Sequence, residues 1–226
     1  MQSLLILALA ALSIANPLPV AVVEERRTTI EERQSTTGIT SNEFTRLGCR
    51  NVLFFFARGS TEVGNMGSTV GPPTSNGLKS AFGVTNVATE GIDYAALLST
   101  NFLPGGADLA GIAEMRDLLN QAASNCPSSK LVVAGYSQGA ALVHRAVENL
   151  SQSVKDKIVA AVTYGDTQNL QDGGRIPNFP TSKTLIICNV GDAVCAGTLT
   201  ILPAHLAYTG RVDEAVAFIS ARIRAS

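Results

Sequence analysis

The sequence predicts an α/β fold, a three-layer α/β/α sandwich with a parallel sheet between two layers of helices. Three observations predict it. Continuous apolar runs rich in β-branched or aromatic residues recur along the chain, notably Asn51–Ala57, Lys130–Tyr136 and Ile158–Tyr164. Such runs suit strands buried on both faces, as in a parallel sheet. Segments with apolar residues at helical spacing separate them, clearest in Ile112, Met115, Leu118, Leu119 and Ala122. Finally, one of the apolar runs passes through a tight Gly/Ser turn directly into a helix-forming segment. Strands alternating with helices imply right-handed crossovers and helices on both faces.

Taken in order, Asn51–Ala57 is the first strand, bounded by Arg58-Gly59. Gly64, Gly67, Gly71, Pro72 and Pro73 mark a loop, and Thr74–Phe82 reads as a short helix capped by Gly83. A second strand is expected over Val84–Thr89, then a small-residue loop over Gly91–Asp108. Leu109–Asn125 is the amphipathic helix. Lys130–Tyr136 is the third strand, and the helix after it runs to about Leu150. Ile158–Tyr164 and Thr184–Cys188 are the fourth and fifth strands. Val212–Ile223 closes the chain as a helix with Ala215, Phe218, Ile219 and Ile223 on one side.

The chain has 226 residues, 46% of them hydrophobic, and a net charge of −1. That length supports one sizeable core and not two comfortable domains. The near-neutral balance provides no electrostatic basis for binding nucleic acid or an anionic membrane.

Residues 1–15 read as a secretory signal: Leu4–Leu12 is an apolar run too short to span a bilayer, and Ser13-Ile14-Ala15 supplies small residues for cleavage. Residues 16–33 alternate charge around Pro17 and Pro19 without a core-forming stripe and read as a pro-segment or flexible tail. A single domain is expected over residues 34–226. A secreted, extracellular chain also accounts for the four cysteines, Cys49, Cys126, Cys188 and Cys195. Four cysteines allow three pairings. Short-range closure favours Cys188–Cys195, which leaves Cys49–Cys126. No C-x-x-C occurs, and two histidines are too few for an obvious zinc site, so neither metal nor cofactor is expected. Asn149-Leu150-Ser151 is a glycosylation sequon.

Gly135-Tyr136-Ser137-Gln138-Gly139 has the composition and the strand–turn–helix context of a nucleophile elbow. Such a serine needs a base, and the base needs an acid to orient it. Only His144 and His205 exist. His144 lies two helical turns beyond Ser137, about 10 Å along the axis, so it is not the base. It reads as a helix-surface residue whose removal leaves turnover nearly intact. His205 remains, in a loop before the last helix. The acid should fall between serine and histidine in chain order. Asp166 and Asp192 both follow strands, and Asp192 is preferred because Cys188 and Cys195 flank it. The oxyanion hole needs two converging donors. The N–H of Gln138 supplies one, and Ser60, in the loop after the first strand, the other.

Ala57-Arg58-Gly59-Ser60-Thr61-Glu62, Gly64-Asn65, the Ser137 pentapeptide, Cys188-Asn189-Val190-Gly191-Asp192-Ala193-Val194-Cys195 and His205-Leu206-Ala207-Tyr208 occur in one order and spacing from about Cys49 to the C-terminus. Together they resemble the fungal cutinase family. The resemblance implies a small lidless α/β-hydrolase with a central five-stranded parallel sheet. It implies a Ser137–Asp192–His205 triad, an oxyanion hole of Ser60 and Gln138, and Asn101 orienting the Ser60 hydroxyl. It also implies the bridges Cys49–Cys126 and Cys188–Cys195. Val63 and Met66 depart from the Thr and Leu common in the family's first loop. The activity implied is a secreted serine esterase acting on cutin or another polyester surface and on small ester substrates, as a monomer. An acetylxylan esterase of the same fold and a non-catalytic secreted effector are the alternatives. Leu199 and Ile201 alternate with threonines, so an extended loop would point both one way. With Leu98 and Phe102 they are expected to form an apolar rim round Ser137.

Overall fold

The computed structural model describes residues 36–226; the signal and pro-segment expectations lie outside the described residues. Five strands form the sheet: β1 (Val52–Ala57), β2 (Val87–Gly91), β3 (Lys130–Tyr136), β4 (Ile158–Tyr164) and β5 (Thr184–Ile187). Their order is β2-β1-β3-β4-β5, and every neighbouring pair is parallel. Helices α1 (Glu43–Leu47), α2 (Gly71–Phe82), α3 (Leu109–Asn125), α4 (Gln138–Glu148), α5 (Gln152–Lys157) and α6 (Val212–Arg224) complete the described fold.

Strand periodicity divides the core into two. Leu53 and Phe55 of β1 pack with Leu131 and Val133 of β3 against α3 and α4. Phe54 and Phe56, with Val132 and Ala134, pack on the other face beneath α2 and α6. Three consecutive phenylalanines are therefore all buried, on alternating sides of the sheet. This is why the first strand reads as a continuous apolar run and not as an alternating one.

The boundaries differ from the sequence expectations most at α2 and at the start of β2. Helix α2 starts at Gly71, because Pro72 and Pro73 occupy its first turn, where a missing N–H leaves no helical bond unmade. β2 starts at Val87, not Val84: the chain turns after α2, with Asn86 N–H donating to the Gly83 carbonyl, before Val87 pairs with Val52. Helices α1 and α5, of five and six residues, are too short to show a period in sequence.

His144 corrects a further expectation. It is completely buried, not on the helix surface. Helix α4 buries nine of its eleven residues, because α3, the sheet and the loop after β4 enclose it. The polar ring is tolerated there because both nitrogens meet carboxylates, Asp166 and Asp172.

The two bridges are Cys49–Cys126, closing a separation of 77 residues, and Cys188–Cys195, closing 7. No helix among the described residues is long and apolar enough to cross a membrane.

Candidate active site

Ser137 stands between the carboxyl end of β3 and the first turn of α4. Its backbone is left-handed, φ 55°, an uncommon conformation for a residue with a Cβ. Strain of this kind costs about 1–3 kcal/mol and persists only where the surroundings impose it. Here the Ser137 N–H is held by the Tyr164 carbonyl at 2.9 Å, and its carbonyl accepts from Ala140 N–H at 2.9 Å. The flanking glycines let the turn close. A Cβ at Gly139 would lie 2.0 Å from the Ala57 carbonyl oxygen, and one at Gly135 would lie 2.1 Å from the Gly139 carbonyl oxygen.

His205 Nε2 lies 3.0 Å from Ser137 Oγ, and His205 Nδ1 lies 2.9 Å from Asp192 Oδ2. Asp166, the other acid considered, is bonded to His144 instead. Asp192 sits in the ring closed by Cys188–Cys195 and is aimed by its surroundings. Val194 N–H donates to Oδ1 at 2.9 Å, and the Tyr208 hydroxyl donates to Oδ2 at 2.6 Å. Burial, then the hydrogen bond and charge of Asp192, push the Tyr208 phenol far up, so it stays a protonated donor. Its oxygen also accepts from Asn189 N–H at 2.9 Å.

Tyr136 fixes the imidazole from its other side. The two rings stack at 5.4 Å, and the Tyr136 hydroxyl donates to the His205 carbonyl at 2.7 Å. Sequence reasoning did not single out Tyr136, Tyr208 or Thr167. Tyr208 follows the base by one helical turn and Tyr136 precedes the nucleophile, so chain proximity was the available signal.

Ser60 Oγ accepts from Asn101 Nδ2 at 2.9 Å and from Gln138 Nε2 at 3.2 Å. With both lone pairs engaged, the hydroxyl proton of Ser60 is left free to donate elsewhere. Gln138 is the first residue of α4, where backbone N–H groups have no partner within the helix. The loop carrying Ser60 is itself tied down by Glu62. That carboxylate accepts from Gly59 N–H, Ser68 N–H, Thr69 N–H and the Thr69 hydroxyl, at 2.7–3.0 Å.

The cleft above Ser137 has a volume of about 330 Å³. Leu98, Phe102, Leu199, Ile201 and Leu206 are among the residues that line it. Leu199 and Ile201 both line this space. Phe102 is 79% exposed and Leu98 61%, so the apolar rim is open to solvent. Groups of His, Cys, Asp or Glu suited to hold a metal ion are absent among the described residues.

A family model for cutinase matches residues 48–223. A cutinase of Pyricularia oryzae is 51% identical over 94% of this chain and 99% of its own length. Among solved structures, a Trichoderma reesei cutinase in complex with a phosphonate inhibitor aligns with a TM-score of 0.73 at 31% identity, covering 91% of this chain and 93% of that one. An acetylxylan esterase aligns with a TM-score of 0.60 at 24% identity over 77% of this chain and 99% of that one, a likeness of fold alone. The family match takes in the elbow, the acid loop and the base, and the similarity to the Pyricularia oryzae protein extends over nearly the whole length: the chain belongs to the cutinase family.

Proposed function

We propose that the protein is a secreted serine esterase that hydrolyses the ester bonds of cutin, or of another aliphatic polyester, and of small soluble esters. Its relatives are cutinases, and the observation that carries the reading is the Ser137–His205–Asp192 relay at 3.0 and 2.9 Å on the floor of an exposed apolar cleft. His205 Nε2 takes the Ser137 proton as Oγ attacks the ester carbonyl. Asp192 accepts from Nδ1–H, fixing the tautomer and stabilising the imidazolium that forms. The developing oxyanion receives the backbone N–H of Gln138 and the hydroxyl proton of Ser60. As the intermediate collapses, His205 returns the proton to the departing alcohol. Water, deprotonated by His205, then attacks the acyl-Ser137 ester and releases the acid. All these groups belong to the chain itself.

The rim favours a large apolar substrate. Exposed apolar patches mark interaction sites, and Leu98, Phe102, Leu199, Ile201 and Leu206 all line the cleft and are exposed. Secretion is supported by the residues 1–15 signal pattern and by two disulfides, which persist in oxidising compartments.

A panel of short-chain acyl esters, acetylated xylan and cutin, run beside fluorophosphonate labelling, tests the reading. Labelling of Ser137 with release of cutin monomers is the expected result, and both are lost in Ser137→Ala. Labelling with deacetylation of xylan alone would make the protein an acetylxylan esterase. Absence of labelling in folded protein would make it a non-catalytic secreted effector.

A further inference from the structure

His144 takes no part in the acyl transfer just derived, yet its ring is buried between two carboxylates. Nε2 lies 2.8 Å from Asp166 Oδ2 and Nδ1 lies 2.6 Å from Asp172 Oδ2. A neutral imidazole offers one donor and one acceptor, whereas an ionised carboxylate only accepts. Both carboxylates also accept from other donors. Asp166 accepts from the Thr163 hydroxyl at 2.7 Å and from Gln168 N–H at 2.8 Å, and Asp172 is paired with Arg145. The ring must therefore carry a proton on each nitrogen. Two cations and two anions balance in the cluster, and Glu148 adjoins it through Arg145 at 3.3 Å. Burial opposes a charged ring, but the hydrogen bonds and charges of Asp166 and Asp172 outweigh it and raise the pKa from 6.5 to about 9.

The cluster reaches the candidate site on two sides. Asp166 belongs to the turn after β4, and Gly165 of that turn packs against the base: a Cβ there would lie 2.8 Å from His205 Cε1. Thr167 of the same turn lines the cleft, and its hydroxyl donates to the Ser137 carbonyl at 3.4 Å. On the other side lies the loop that follows Asn101 and Phe102. A Cβ at Gly105 would lie 2.8 Å from Arg145 Cδ, and one at Gly106 would lie 2.4 Å from Gln168 Nε2. The helix that carries His144 begins immediately after the nucleophile.

We propose that His144 is a positioning residue for ester hydrolysis, a buried imidazolium that clamps the nucleophile helix α4 to the loop carrying Asp166, Thr167 and Asp172 and so holds the backbone against which His205 rests. The proposal rests on the triad reading above, and it replaces the expectation that His144 is dispensable. Below pH 6.5 the ring is fully protonated and the clamp complete; as pH rises through about 9 the ring loses one donor. One carboxylate is then left buried and charged without its partner, which is unfavourable. Turnover is therefore lost on the alkaline side.

The chain has only two histidines, so imidazole nitrogen NMR gives two ring systems, assignable with a His144 variant. Wild-type His144 should show both nitrogens protonated up to about pH 8 and titrate near 9. Kinetics on a soluble p-nitrophenyl butyrate form the second arm, run well below each variant's thermal midpoint. Small displacements away from the chemistry lower rates by up to about a hundredfold, and roughly a tenfold loss of kcat with unchanged KM is expected for His144→Gln. Asp172→Asn lets a neutral imidazole accept from the amide at Nδ1 while Nε2–H donates to Asp166, at the cost of the Arg145 pair, because Arg145 bonds the same Oδ2. It should lose less kcat than His144→Gln, and its kcat should not fall as pH passes 9. A neutral His144 at pH 7, or a His144→Gln enzyme with lowered thermal midpoint but full kcat, overturns the proposal. Should His144→Gln not fold, an alkaline limb in Asp172→Asn identical to wild type overturns it instead. Wild-type activity and its loss in Ser137→Ala test the triad separately, so failure of one reading is distinguishable from failure of the other.

Discussion

Removing the side chain of Asn101 is expected to slow ester hydrolysis about tenfold although Asn101 touches no reacting atom. Ser60 Oγ has two lone pairs, and the amides of Asn101 at 2.9 Å and Gln138 at 3.2 Å take both. The Ser60 proton is thereby directed away from them, into the cleft where the proposed mechanism has the oxyanion develop. In Asn101→Ala the shorter of these bonds is lost and the hydroxyl gains orientations that do not serve the oxyanion. A neutral hydrogen bond contributes about 0.5–1.5 kcal/mol, and about 1.4 kcal/mol is a factor of ten in rate. Complete loss of the donor in Ser60→Ala should cost more, about 10²–10³ in kcat. The assay is kcat and KM on p-nitrophenyl butyrate for both single variants and the double variant. KM should stay level, because the lost interaction is made to the transition-state oxygen. In the Ser60→Ala background, Asn101→Ala should change nothing further. An equal loss in both backgrounds, or a raised KM at full kcat, would refute the reasoning. Asn101 would then act on the rim through its second bond, to the Leu98 carbonyl at 3.0 Å.

The two disulfides should separate stability from activity. In the chain-entropy picture Cys49–Cys126 stabilises by about 4.5 kcal/mol and Cys188–Cys195 by about 2.4 kcal/mol, so Cys49→Ser/Cys126→Ser should lower the thermal midpoint more. Cys188→Ser/Cys195→Ser should lower kcat more, since that ring carries Asp192; unchanged kcat would show that Val194 and Tyr208 suffice to hold the acid. Leu199→Asp with Ile201→Asp should weaken adsorption and hydrolysis on solid polyester while soluble-ester turnover changes little, because charges resist desolvation at an apolar contact; equal loss on both substrates would make the loop structural. Gly165→Ala forces a left-handed alanine, φ 53°, with its Cβ 2.8 Å from His205 Cε1. It should reduce kcat at least about tenfold with KM nearly constant, and an unaltered kcat would mean that the turn yields without moving the base.

The chain in isolation determined the layer architecture. Burial on both faces writes itself as uninterrupted apolar residues, so β1, β3 and β4 could be read almost to the residue, as could α3 from its 3.6-residue period. The approach of His205 to Ser137 was legible for a different reason. A serine at an elbow requires one particular kind of partner, and with two histidines in the chain, helix geometry excluded one of them as the base. The limits lay where distant segments meet. Whether Val84 or Val87 begins β2 depends on pairing with β1, and local propensity does not carry that information. The environment of His144 was the largest such case. Helical spacing gave its distance from Ser137, but not that the chain after β4 folds back to bring Asp166 and Asp172 to both sides of its ring. Burial and charge state are properties of the assembled neighbourhood. Only tertiary structure turned a histidine that reads as a surface residue into a buried ring held between two carboxylates.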